Sequence, residues 1–306
     1  AVIRGATAID SYVSMTPPEA FSVEYWPLER YKLTLQPKEK ELSRRVAFIT
    51  GAASGIGKAI AHRFALEGAH VVIADLNATG ARAVAEEIQK VHGEGKTLAI
   101  PLDVSDEENV VRAFRETVLE FGGIDIVVSN AGISAASPID ETSVESWDRQ
   151  MDVLAKGYFL VSREGFRVLK SQGIGGSIIF IASKNAVASG KNASVYSAAK
   201  AAELHLARCL AEEGGALGIR VNTICPDAVI RGSSIWSVKW REERARAYGI
   251  RPDQIEEYYR NRTILKVSVF PEDVAEAALF FSSDRSSKTT GAMLTVDGGV
   301  SAAFAR

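Results

Sequence analysis

Seven short apolar runs, rich in β-branched residues, recur along this chain with helix-patterned stretches between most of them. That rhythm constrains the fold more than any single motif. The runs are VAFIT (46–50), HVVIA (70–74), TLAIP (97–101), IDIVVS (124–129), SIIFIA (177–182), RVNTIC (220–225) and MLTVD (293–297). Strands that read as continuous apolar runs are buried on both faces, and amphipathic stretches such as GIGKAIAHRFALEG and ENVVRAFRETVLEFG supply the crossover helices of a parallel sheet. The expectation is a doubly wound α/β domain over residues 43–306. With 306 residues, 46% of them hydrophobic, the chain has material for one substantial core.

Two segments break the rhythm. Residues 1–42 begin with a short helix-like stretch, and then Pro17, Pro18, Pro27 and Pro37 preclude any long regular element. Phe21, Tyr25, Trp26, Leu28 and Tyr31 make the segment too apolar for a free linker. It reads as an arm or connector packed on the main domain or on a partner, the alternative being a disordered tail. Residues 229–270 form a long, mostly helical insertion after the sixth strand, on the carboxyl side of the sheet, where ligands bind in this architecture. The insertion is expected to cover a substrate pocket, with structural or oligomer packing as the alternative.

A formal net charge of -2 gives no footprint for nucleic acid or an anionic membrane. The basic stretch from Lys239 to Arg246 is interleaved with Glu242 and Glu243 and reads as a solvated helix face. No apolar run reaches the ~18 residues of a membrane span. Cys209 and Cys225 lack both disulfide-framework numbers and metal-ligand spacing, and His62, His70, His92 and His205 are scattered, so no metal site is expected. The opening AVIRGATAIDSYVSM, interrupted by Arg4 and Asp10, does not follow a signal-peptide pattern, and the expected compartment is the cytoplasm. The chain does not begin with Met, which suggests a piece of a longer polypeptide.

The first strand runs into Thr50-Gly51-Ala52-Ala53-Ser54-Gly55-Ile56-Gly57 and then a helix. Glycines at a strand-to-helix junction let the backbone approach a pyrophosphate, and the helix start offers free N–H groups and a favourable dipole. Gly51, Ser54, Gly55, Ile56 and Gly57 are therefore candidate dinucleotide contacts. Asp75 ends the second strand about twenty residues on, where a carboxylate accepts from both ribose hydroxyls and repels a 2′-phosphate, favouring NAD over NADP. Its alternative is a plain helix N-cap. Asp103-Val104 after the third strand is placed to contact adenine through the Asp103 side chain, and the turn Asn130, Ala131 and Gly132 after the fourth to bring its main chain against the cofactor, unless both are ordinary strand-end turns.

Ser183 closes the fifth apolar run, and Tyr196 and Lys200 follow, four residues apart on one helix face. A phenol titrates near 10, too high for a proton shuttle at neutral pH, and a neighbouring ammonium favours its ionised form. A shift of about three units would need roughly 4 kcal/mol of differential interaction. Ser183 would hold a substrate oxygen, Tyr196 exchange its proton and Lys200 tune the phenol. Tyr-x-x-x-Lys alone is a common pattern. Its weight comes from the nucleotide-binding unit upstream.

TGAASGIG, the strand ends at Asp75 and Asp103, NAG (130–132), Ser183, YSAAK (196–200) and TGAMLTVDGG occur in the order that resembles the short-chain dehydrogenase/reductase family, over about residues 45–299. The resemblance implies a seven-stranded Rossmann sheet, a Ser183, Tyr196 and Lys200 catalytic set, and a homodimer or homotetramer. It also implies nicotinamide contacts from Tyr196, Lys200 (on the ribose) and Pro226. Two departures stand out. DVLAKG places Leu154 where the family has an asparagine that supports the proton relay, and the Pro-Gly after the sixth strand is here Pro226-Asp227, with Arg231 close by. Arg231 either recognises an anionic or hydroxylated substrate or pairs with an acid.

EYWPLERYKL, MDVLAKGYFLVSREGFRVLK, ASKNAVA, CPDAVIRGSSIW and SVFPEDVAEA are similar to the dehydrogenase half of bifunctional rhamnulose-1-phosphate aldolase/short-chain dehydrogenase proteins. That similarity implies an aldolase domain ahead of this segment and NAD-linked chemistry on lactaldehyde in rhamnose catabolism. The competing readings are a sugar or polyol dehydrogenase, and a domain that binds NAD but performs little chemistry.

Overall fold

The computed structural model describes residues 15–35, 39–233 and 235–304. The chain divides into two compact units, Ala1–Lys40 and Glu41–Arg306. Within the first, two short helices replace any long regular element, with Pro17 and Pro27 as their starters, and Pro37 lies outside the described residues. Helix α1 spans Pro17–Glu24 and α2 spans Pro27–Leu35, each with proline at its first position, where a missing N–H costs nothing. Thr16 and Glu19 close a reciprocal capping box on α1. The helix-like opening expected ahead of them lies outside the described residues.

The second unit is the alternating domain. Its strands are β1 (Val46–Thr50), β2 (His70–Asp75), β3 (Thr97–Pro101), β4 (Ile126–Ser129), β5 (Gly176–Ile181), β6 (Ile219–Pro226) and β7 (Met293–Val296). They form one all-parallel sheet in the order β3-β2-β1-β4-β5-β6-β7. The helices between them are α3 (Gly55–Leu66), α4 (Ala78–His92), α5 (Glu107–Phe121), α6 (Val144–Met151), α7 (Gly157–Gln172), α8 (Ser194–Gly214), α9 (Val238–Tyr248), α10 (Ile255–Arg262) and α11 (Pro271–Ser282).

Side chains alternate across a strand, so each sheet face has its own core. Ala47 and Ile49 of β1 pack with Ile60 and Phe64 of α3, Val84 and Ile88 of α4, and Val274 and Leu279 of α11. Phe48 points the other way, against Phe114 of α5, in the layer that holds Val161 of α7 and Ala207 of α8. The strand order reverses between β1 and β4, where successive crossovers leave toward opposite edges. A crevice opens at the carboxyl ends of the strands at such a point.

Strand ends deviate from the apolar runs by one or two residues. Ile124 stays outside β4 because the Gln172 side chain takes both of its backbone groups. Its N–H donates to Gln172 Oε1 at 2.8 Å, and its carbonyl accepts from Nε2 at 2.7 Å. The 229–270 segment carries α9 and α10 around a small core of Ile230, Ala245, Ile255 and Tyr259. No helix among the described residues is long and apolar enough to cross a membrane.

The close approach of α3 to the β1 turn demands glycine at position 57. A Cβ there would lie 2.3 Å from the Gly51 carbonyl oxygen and 2.6 Å from the Asn130 amide. Gly215 has helical dihedrals and nothing within 4 Å. Gly57→Ala is therefore expected to lower stability by about 1–3 kcal/mol, whereas Gly215→Ala should leave it unchanged or raise it by about 0.4–1 kcal/mol. Urea denaturation of both variants checks the contrast, and equal losses would contradict this packing.

Candidate active site

The turn from β1 into α3 is held from two sides. Gly51 and Gly55 have φ of +64° and +53°, where a side chain is strained. The Ala53 N–H donates to Asp75 Oδ2 at 2.9 Å, so the residue expected to meet a ribose also anchors the glycine turn. The Asn130 side-chain amide donates to the carbonyls of Thr50 (2.9 Å) and Gly51 (3.1 Å), and Thr50 Oγ1 accepts the N–H groups of Asn130 and Ala131. These bonds stitch the ends of β1 and β4 together. Ser54, the N-cap of α3, makes no side-chain capping bond, so the helix start presents main-chain donors and the positive end of its dipole. Glycine backbone, an uncapped helix start and the Asp75 carboxylate suit a dinucleotide's diphosphate and ribose.

Apart from Ala131 and from Gly51, Ser54, Gly55 and Gly57 of the turn itself, the expected residues separate into two groups. Ile56, Asn130, Gly132, Ser183, Tyr196, Lys200 and Pro226 line one cavity of about 130 Å³. Asp75, Asp103 and Val104 sit at the ends of β2 and β3, outside that lining. Asp103 Oδ1 accepts from the N–H and hydroxyl of Ser105 (2.9 and 2.7 Å) in a tight local turn. Val104 is buried, with its side chain in the core against Gly157, which leaves only its backbone for a ligand.

Ser183 lies just beyond β5, at the start of a single 3-10 turn, and its hydroxyl accepts from the Asn185 N–H at 3.2 Å. Tyr196 and Lys200 occupy the first turns of α8, and the Lys200 ammonium is 5.8 Å from the Tyr196 ring centroid. Lys200 and Ser183 each pull the phenol's pKa down, as the spacing predicts. Burial outweighs them, and the net displacement is upward. The expectation of a phenol lowered by Lys200 is corrected on this point: desolvation of the phenolate exceeds the attraction of one ammonium that is itself shared among other partners.

Those partners are what the sequence reading missed. Lys200 is 4% exposed, and its ammonium donates to Glu203 Oε2 at 2.9 Å, the Ile181 carbonyl at 3.1 Å and the Tyr158 hydroxyl at 3.4 Å. Tyr158 also donates to the Ile181 carbonyl at 2.6 Å. Glu203 is fully buried, and burial raises its carboxyl above the ordinary value while Lys200 pulls it down. For Lys200, burial acts downward, but Glu203 and the two phenols hold it above the ordinary lysine range. Leu154, at the expected asparagine position, is fully buried in a π-turn (Asp152–Lys156) behind Gly132. Tyr158 and Glu203 thus surround the ammonium where Leu154 contributes no polar group. Glu203 follows Lys200 by three residues on the same helix face, and that spacing is the signal that could have found it.

The segment after β6 supplies the facing wall of the cavity, through Val229, Ile235, Trp236, Trp240, Arg244, Tyr248 and Tyr259. Asp227 is buried and pairs with Arg262. Arg231 pairs with Glu256 at 2.8 Å and lies outside the cavity lining, so of its two readings the structure has the ion pair.

Residues 51–301 match the family described as enoyl-(acyl carrier protein) reductase, and residues 1–33 match the second domain of class II aldolases. The uncharacterized oxidoreductase YuxG of Bacillus subtilis is 58% identical over 100% of this chain, which spans 44% of that relative's length. D-threitol dehydrogenase of Mycolicibacterium smegmatis is 35% identical over 84% of this chain and 93% of its own. Among solved structures, 3-ketoacyl-(acyl-carrier-protein) reductase from Brucella melitensis, complexed with NADH, is similar at a TM-score of 0.74 and 32% identity, covering 85% of this chain and 99% of that one.

Glu203→Ala is expected to destabilise the fold by about 3–5 kcal/mol, because it strands the buried Lys200 charge. Urea midpoints of Glu203→Ala and Glu203→Gln against wild type check this, and a Glu203→Gln variant as stable as the wild type would show that Lys200 needs no counter-charge.

Proposed function

The chain belongs to the short-chain dehydrogenase/reductase family, and on that premise we propose that it is an NAD-dependent oxidoreductase interconverting small polyols or hydroxyaldehydes with their oxidised forms. The observation that carries this reading is the convergence of Ser183, Tyr196 and Lys200 on one cavity, which Ile56 of the first turn of α3 also lines. A nicotinamide dinucleotide held at that helix start supplies the hydride acceptor or donor. The Ser183 hydroxyl donates to the substrate oxygen and fixes its position. In oxidation the Tyr196 phenolate takes the proton from that oxygen, in reduction the phenol returns it, and the positive charge of Lys200 favours the phenolate. Asp75 selects the ribose with free hydroxyls, since its carboxylate repels a 2′-phosphate.

Three observations support the substrate class. The cavity is about 130 Å³, close to the volume that accommodates benzene, which suits a substrate of a few carbons. D-threitol dehydrogenase is among the relatives. The aldolase match over residues 1–33 supports a hydroxyaldehyde such as lactaldehyde, delivered by an aldolase domain of the same polypeptide. A homodimer or homotetramer in the cytoplasm completes the proposal, with its size measured by light scattering.

Tyr196→Phe is expected to lower kcat about 10²–10⁴-fold while NAD affinity, read by tryptophan quenching, stays within a few-fold. Full turnover by this variant would refute the mechanism. Because burial holds the phenol above its ordinary value, alcohol oxidation should accelerate as pH rises from 7 to 9, with a logarithmic slope near one. Asp75→Ala should narrow the preference for NAD over NADP by about tenfold or more, measured as the ratio of kcat/KM values. NAD binding without turnover across small alcohols and aldehydes would instead point to a dinucleotide-binding domain of low activity, the reading that the tight hold of Glu203 on Lys200 favours.

A further inference from the structure

Four cations stand in or directly behind the cavity wall, and they fall into two pairs. Lys200 has Glu203 as counter-charge, and Arg262 has Asp227. Lys184 and Arg244 line the cavity, are 6% and 3% exposed, and pair with no carboxylate among the described residues. The Lys184 ammonium makes one bond, to the Ala188 carbonyl at 3.0 Å. Arg244 is held by neutral groups: the Lys191 carbonyl at 2.6 Å, the Tyr259 hydroxyl at 3.3 Å and the Tyr248 hydroxyl. Its guanidinium carbon lies 4.6 Å from the Tyr248 ring centroid and 5.5 Å from that of Trp240. A guanidinium has five N–H donors and an ammonium three, so both groups retain donors after these bonds.

Carbonyls, hydroxyls and ring faces orient a cation without cancelling its charge. A buried cation left so is costly unless something anionic joins it. Tyr248 reports the resulting field. Burial pushes its phenol up, yet Arg244, a bond with Tyr259, Arg262 and Lys184 together bring it below the ordinary tyrosine range. Burial likewise holds Lys184 below the ordinary lysine value, and Asp227 only partly offsets this because Arg262 and Arg244 oppose it.

We propose that Lys184 and Arg244 form an oxyanion-binding subsite for a carboxylate or phosphate carried by the substrate whose carbinol or carbonyl oxygen meets Ser183 and Tyr196. The inference rests on the oxidoreductase reading and narrows it: the small hydroxylated substrate or its product bears a negative charge. Arg244 sits on α9, in the insertion, and Lys184 follows Ser183 directly, so the subsite joins the insertion to the reacting end of the cavity.

The test compares kcat/KM for glycerol, glycerate and glycerol 3-phosphate and for the corresponding threitol, threonate and threitol 4-phosphate, in wild type, Lys184→Met and Arg244→Met. At least one anionic member of a set should exceed its neutral counterpart by about tenfold or more, the discrimination that a retained hydrogen bond to a charged group provides. Whether carboxylate or phosphate leads identifies the oxyanion. Either variant should bring the anionic-to-neutral ratio close to one. Neutral substrates that match or exceed the anionic ones in the wild type overturn the proposal, with no variant needed. So does a ratio that survives both substitutions in folded protein.

Binding provides a readout independent of turnover. Inorganic phosphate and glycerate, titrated against the fluorescence of the lining residues Trp236 and Trp240, should give saturable changes that weaken about tenfold or more in Lys184→Met. Tyr196-dependent oxidation of neutral polyols with neither anion preference nor anion binding rejects the subsite and leaves the oxidoreductase reading intact. Anion binding without turnover of any polyol supports the subsite and removes that reading. No binding and no turnover reject both.

Discussion

A lysine ammonium buried to 4% exposure is the constraint around which this site is organised. Water cannot solvate it, so every proton it carries needs a protein acceptor or a ligand. The end of β5 meets part of that need through the Ile181 carbonyl, which also accepts from Tyr158 of α7. Glu203, one turn along α8, supplies the counter-charge. Sheet, α7 and α8 are thereby fixed to one point, and Tyr196, one turn earlier on α8, inherits its position from that lock. The bonds that hold Lys200 also spend it. An ammonium with a carboxylate at 2.9 Å has less field to give a phenol, and desolvation then decides the direction of the Tyr196 shift.

The fold was legible because its signal is distributed. Seven apolar runs each reported a strand, and an error of two residues at Ile124 or of one at Gly176 changes neither the parallel pairing nor the point where the strand order reverses. The glycine turn was legible for a related reason, since positive φ at Gly51 and Gly55 and the lack of space at Gly57 are demands that few residues meet. Glu203 was not legible. In AAELHLARCLAEEG it resembles Glu212 and Glu213 of the same helix, and composition does not separate a carboxylate that faces a buried ammonium from one that faces water. Only its three-residue offset from Lys200 distinguishes it, and that offset acquires meaning once the lysine is known to be buried.

The segment after β6 was legible in extent and not in form. Its charged residues suggested a solvated helix, and the reading of 239–246 as an exposed face fails at Arg244, which is 3% exposed and ringed by Trp240, Tyr248 and Tyr259. Periodicity assigns a face to charge or to apolar residues. It has no pattern for a cation solvated by aromatic rings, because the aromatic partners come from α9 and α10 together. Arg231 shows the converse. Its place just after Pro226-Asp227 left a substrate contact and an ion pair open, and its neighbour in space is Glu256, an exposed pair of the kind that contributes little.

The division among the buried cations follows from what each must do during a turnover. A group that positions others has to keep one geometry whether or not a ligand is present, so its counter-charge belongs to the protein, as Glu203 does for Lys200 and Asp227 for Arg262. A group that recognises a charged ligand has to leave its counter-charge to that ligand, since an internal carboxylate would compete for the same donors. Neutral acceptors and ring faces can still hold such a cation in place, and that is the environment of Lys184 and Arg244. The cost of burying their charge is then offset only when an anion enters, and the offset appears as selectivity for that ligand over a neutral one of the same shape.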